Sequence, residues 1–105
     1  MGTPFKAAGL AGLVLLMIGL PACGGVYYMA AVNGAASKLE EARVLGADTL
    51  APYEYYYAKE HLEQAQVEAS EGSYGDAADF AESADDFAQK AINLAQSAHK
   101  AAGRE

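Results

Sequence analysis

The stretch Ala77–Ala102, AADFAESADDFAQKAINLAQSAHKAA, decides how this chain folds. Ala77, Ala81, Ala84, Ala88, Ala91, Ala95, Ala98 and Ala102 follow one another in steps of four and three without a break. That rhythm lays the alanines along one stripe of a helix. Phe80, Phe87 and Leu94 form a second row, seven apart, on one flank, while Asp79, Glu82, Asp86, Gln89, Asn93 and Gln96 take the opposite side. An apolar stripe opposed by a solvated face predicts an amphipathic helix, and its seven-residue repeat is that of a coiled-coil seam. Small side chains let helix axes approach closely but bury little, at most about 0.8 kcal/mol for each methyl. Phe80, Phe87, Leu94, Leu62, Leu39 and Tyr55 are therefore expected to supply most of the burial, about 1.5–3 kcal/mol each when fully covered.

Two more helical blocks precede this one. In the second, Pro52 suits a first turn, where its missing N–H costs nothing, and Glu54 adds a favourable charge there. Tyr55, Ala58, Leu62, Ala65 and Ala69 then form its seam, and Gly72 ends it. The first block runs from about Val26 to Gly46, with Tyr28, Val32, Ala35, Leu39 and Ala42 in line and Gly46 as its stop. The link Glu71-Gly72-Ser73-Tyr74-Gly75 is short enough to force an antiparallel hairpin of the last two helices. Either Ser73 or Asp76 is placed to cap the last helix. The predicted fold is all-α: an antiparallel three-helix bundle, a helical hairpin plus one packing helix, behind an N-terminal signal helix. Tyr53, Tyr56 and Val67 project away from the second seam. The simplest account has them meeting the first helix, which makes the second helix the middle of the bundle. The other account, extended to Tyr57, is an exposed surface for a partner.

The N-terminus has the layout of an export signal. Met1 to Lys6 carries one positive charge, and Ala7 to Leu20 is uncharged and shorter than the roughly 20 apolar residues that span a bilayer core. Leu20-Pro21-Ala22-Cys23 then reads as a lipobox, with Cys23, the chain's one cysteine, as the lipidation site. Pro21 departs from the usual small or β-branched middle residue. Two rivals remain. One is ordinary cleavage that leaves a free Cys23 thiol, poorly served by Leu20 at the −3 position. The other is an uncleaved anchor over Ala7–Val32, interrupted by Pro21, Gly24 and Gly25. The expected organisation is a signal peptide over 1–22, a lipidated tether over 23–25 and an alanine-rich helical domain over 26–105. The residue after Cys23 is Gly24, not an acid, which resembles the sorting pattern of outer-membrane lipoproteins facing the periplasm.

The chain of 105 residues has a formal net charge of −7. Loss of the leader removes a lysine and makes the remainder more acidic. Nucleic acid is therefore not an expected partner. The expected partners are the membrane, through N-terminal acyl chains, a protein of the envelope, or a second copy of the chain.

Ala51 to Ala91, with Ala51-Pro52, Ala58, Leu62, Ala65, Gly72, Tyr74, Ala77, Ala84 and Ala91, resembles the bacterial lipoprotein domain catalogued as domain of unknown function 4398. Ala42, Gly46 and Ala47 in the preceding helix also fit, so the resemblance spans roughly Ser37 to Ala98. The hairpin is also similar to one tetratricopeptide repeat, although one unit is too few for a solenoid. Both resemblances imply a helical interaction module with no catalytic residues to carry over.

Chemistry-bearing motifs are sparse. The chain has no phosphate-binding glycine loop, no G-x-S-x-G and no H-E-x-x-H. His61, among Lys59, Glu60 and Glu63, reads as part of a solvated helix face, and His99 as a cation near a helix end. Asp76, Asp79, Glu82, Asp85 and Asp86 form an acidic patch without calcium-loop spacing. No catalytic residue, cofactor or metal is expected, and the thin core leaves little room for a cavity of about 300 Å³. The expected function is that of a membrane-anchored envelope lipoprotein acting as a non-catalytic interaction or accessory module. The alternatives are a self-associating structural spacer and a periplasmic protein with a single-pass membrane anchor.

Overall fold

The computed structural model describes residues 25–103. Four helices cover them: α1 over 25–44, α2 over Ala47–Leu50, α3 over Pro52–Ser70 and α4 over Tyr74–Gly103. The three long helices are those expected, and they pack as a helical bundle. Between the first and second expected blocks, Ala47–Leu50 winds into the single turn of α2. Ala47 and Ala51, four residues apart, are both buried there. Gly25, expected in the tether, is already helical. Residues 1–24 lie outside the described residues, and with them the signal peptide, Leu20, Pro21, Ala22 and Cys23. Among the described residues no helix is long and apolar enough to cross a membrane.

Glycine terminates two of the helices. Gly46 and Gly72 have φ of 81° and 82°, where a side chain is strained. After α3 the Gly72 N–H donates to the Ala69 carbonyl at 3.0 Å, and the Ser73 N–H to the Glu68 carbonyl at 2.9 Å. This is a Schellman closure, which satisfies carbonyls left open at the helix end. Gly75 is one turn away, inside α4, with open space where a Cβ would stand. The two glycines should respond oppositely to alanine. Gly72→Ala should lower stability by about 1 kcal/mol through the left-handed backbone. Gly75→Ala should raise it by roughly 0.5 kcal/mol through helix propensity. Thermal melts followed by circular dichroism will check the pair, and equal signs would refute this account of the turn.

The seams lie where the spacing puts them. Ala77, Ala81, Ala84, Ala88, Ala91 and Ala95 of α4 are buried, as are Tyr55, Ala58 and Ala65 of α3 and Ala35 and Ala42 of α1. Ala98 is half-buried and Ala102 exposed, because the 30 residues of α4 outrun the 19 of α3. Burial differs from expectation in its source. Every buried core residue except Tyr55 and Ile92 is alanine. Leu39, Leu62, Phe80 and Phe87 are only half-buried, and Leu94 is exposed. Alanine seams bring the backbones so close that large side chains do not fit between them, so they lie along the flanks.

The middle helix is α4, not α3. One flank of α4 faces α3 through Phe80 and Phe87. The opposite flank, Ala78, Asp85, Ile92 and His99, faces α1. There the Lys38 Nζ donates to the Asp85 Oδ1 at 2.6 Å, and His99 Nε2 lies 2.7 Å from the Leu45 carbonyl oxygen. Nearer the start of α1, Tyr27 donates to Glu82, and the Tyr28 and Tyr74 rings meet at 5.8 Å. The Tyr28–Tyr74, Lys38–Asp85 and Leu45–His99 contacts rise together along both helices, so α1 and α4 run parallel and α3 antiparallel to both. Tyr53, Tyr56 and Val67 therefore do not meet α1. They stay in solvent, Tyr53 at 66% exposure.

Candidate functional site: an aromatic ladder on the hairpin

Residues four apart on a helix stand one above the other. Tyr53, Tyr57 and His61 are so spaced on α3, beside Phe80 and Phe87 on the near flank of α4. The result is a continuous ladder. Lys90 Nζ stands 4.3 Å from the Phe87 centroid. Phe87 lies on Tyr57 at 3.8 Å, and Tyr57 stacks on His61 at 3.9 Å with 17° between the planes. His61 continues to Phe80 at 5.7 Å, and Tyr53 meets Phe87 edge-on at 6.3 Å. Each such ring pair contributes about 0.5–1.5 kcal/mol beyond its area. The cation over Phe87 adds roughly 0.5–1 kcal/mol at an exposed site.

His61 is not on a solvated face; it is a half-buried rung of the ladder. Its Nδ1 lies 2.9 Å from the Tyr57 carbonyl. A carbonyl oxygen only accepts, so that nitrogen carries the proton and donates. Beyond His61 and Phe80, α3 and α4 border an open surface cleft of ≈ 320 Å³, lined also by Glu68, Asp76, Asp79 and Ser83. It is a depression in the hairpin surface, not a cavity in the alanine core. Ser83 and His61 share it, yet the His61 Nδ1 is occupied by backbone. Among the described residues no hydrogen bond links Ser83 or a carboxylate to that ring. The arrangement offers flat apolar rings with carboxylates at one end and the Lys90 ammonium at the other. It suits contact with apolar and charged groups of another molecule.

Of the sequence-predicted contact residues, the structure brings Tyr53 and Tyr57 into the ladder. Tyr56 turns away from it, edge-on to Tyr55 at 5.0 Å, and Val67 lies in solvent on the outward side of α3. Lys59 stands 6.0 Å from the Tyr56 ring. The signal that finds His61 is its spacing from Tyr53 and Tyr57, which outweighs its charged neighbours in sequence.

The acidic patch is divided among several tasks. Asp85 pairs with Lys38, Glu82 accepts from Tyr27, and Asp76 and Asp79 line the cleft. The hydrogen bond to Glu82, together with that carboxylate's charge, raises the Tyr27 hydroxyl above its ordinary pKa, so Tyr27 is neutral and donating at neutral pH. On the exposed side of α1, hydrogen bonds from Arg43 lower the Glu40 carboxyl. Among the described residues no group of three or more His, Cys, Asp or Glu side chains is placed to hold a metal ion.

Fold and ladder together define a small all-α domain: a helical hairpin closed by a third helix, with aromatic rings along its open side. The chain belongs to the family described as Domain of unknown function (DUF4398), which matches residues 30–105. That match takes in α2, α3, α4 and most of α1. No curated protein and no solved structure matches the chain.

Proposed function

We propose that this chain is a membrane-anchored envelope lipoprotein, held at the outer membrane by acyl chains on Cys23, and that it acts by docking another envelope protein. The observation that carries the docking reading is the exposed apolar side of α3. There Tyr53, Tyr56 and Val67 stand in solvent beside the ladder. Tyrosines of this kind, broad and poor in rotamer freedom, are preferred anchors at interfaces. The anchor reading rests on the apolar run Ala7–Leu20 and the lipobox-like Leu20–Cys23. The spacer alternative has lost its simplest route to self-association. The heptad seam of α4 is filled within one chain by α1 and α3, so a homo-oligomer must use another face.

A photo-crosslinking amino acid at Tyr53 or Tyr56 should give a discrete heterologous adduct in intact envelopes. One at Asn93, on the outer face of α4, should give little. An adduct of two copies of this chain would support the spacer instead. Equal yields from all three positions would sink the docking surface.

A further inference from the structure

The end of the bundle nearest Cys23 carries a cluster that neither the core nor the ladder uses. Val26 and Met29 on the outer side of α1 are 68% and 61% exposed. Tyr27, on the flank of α1 that reaches α4 through Glu82, and Tyr74, whose ring meets Tyr28, are exposed at the same end of the bundle. No charged residue occurs between Lys6 and Lys38, so the first turns of α1 continue the uncharged character of the leader. Gly25, already helical, is two residues after Cys23 in the sequence, a length of chain that reaches at most about 7 Å. Tyrosines with aliphatic neighbours next to an apolar run are the composition that settles at the level of lipid headgroups.

We propose that this cluster is a membrane-contact foot, with Val26, Tyr27, Met29 and Tyr74 seated in the interfacial layer of the bilayer that holds Cys23. The inference rests on the anchor reading. It makes the bundle stand directly on the lipid surface instead of swinging on a tether. Charge selects the lipid: Glu71, Asp76, Asp79 and Glu82 lie at the same end of the bundle. Anionic headgroups repel them and zwitterionic headgroups do not, so the foot seats best on a zwitterionic surface.

The chain contains no tryptophan, so single introduced tryptophans report without background. The full-length protein, processed in cells, is reconstituted into phosphatidylcholine vesicles whose acyl chains carry bromine. Val26→Trp and Met29→Trp should be blue-shifted and lose most of their emission to bromine. Val44→Trp, equally exposed at the far end of α1, should keep water-like emission. Admixed phosphatidylglycerol should weaken the quenching at Val26→Trp and Met29→Trp. If all three variants stay unquenched while the protein floats with the vesicles, the foot is refuted and the anchor stands. Blue-shifted but unquenched emission would show a protein contact, which also refutes the foot. If the protein does not float with the vesicles, the anchor reading itself has failed.

Discussion

Ala84→Asp should abolish cooperative folding of the bundle. Ala84 lies in the middle of the α4 seam and is almost fully buried, on the face that α3 and α1 both approach. The seam is built from alanine, so the new carboxylate has no neighbouring donor and no room. An uncompensated charge in such a place costs about 3–5 kcal/mol, and overpacking adds to it. Small domains hold only about 5–15 kcal/mol in all, and one with so few large buried side chains belongs at the low end. The expected result is loss of the cooperative melt and of most helical signal in circular dichroism. Asn93→Asp, on the exposed far side of the same helix, should change stability by no more than about 0.5 kcal/mol. Wild-type melting by Ala84→Asp would overturn the register assigned to α4 and the packing of α1 and α3 against it.

That register was legible in the sequence because a four-three repeat of alanine has one geometric solution. It places Ala35, Ala42, Ala58, Ala65 and Ala84 correctly from spacing alone. The order of the helices was not legible, since the three seams look alike and flanking residues decide which helix is central. On α4 the row Ala78, Asp85, Ile92 and His99 reads as mixed and partly solvated. It nevertheless faces α1, because Lys38 satisfies Asp85 and the Leu45 carbonyl meets His99. A flank of this kind becomes apolar enough to pack only once its partner is known. The ladder was half legible. Tyr53 and Tyr57 stand out by composition, but stacking on His61 depends on Phe80 and Phe87 arriving from another helix. Their bulk excludes them from the close seam, and that exclusion places them at the ladder.

Cys23→Ser should detach the domain from the membrane. A serine oxygen does not replace the sulfur in the thioether through which a lipid would be carried, so acylation is lost at its attachment atom. The energetic stake is large. Each buried methylene contributes about 0.8 kcal/mol, and stable anchoring takes more than a single chain. Among the described residues no helix could hold the domain in the bilayer instead. Its acidic surface is repelled by anionic headgroups, and Val26, Tyr27 and Met29 present far less apolar area than the acyl chains. Two measurements check this: incorporation of labelled fatty acid, and the mass of the N-terminal peptide. In the wild type the peptide should begin at Cys23 and carry the added acyl mass. In Cys23→Ser label should vanish, and the chain should either enter the soluble fraction or retain its uncleaved leader. If wild type and variant both begin at Met1, neither takes label and both stay with the membrane, then Ala7–Val32 is a permanent anchor. Pro21 is the residue on which the two readings part. As the middle residue of a lipobox it departs from the usual small or β-branched residue, whereas in the interior of a spanning helix it would remove a hydrogen bond and bend the chain. Pro21→Ala therefore separates them again: it should leave acylation intact in the first case, and in the second should only straighten a helix that already holds.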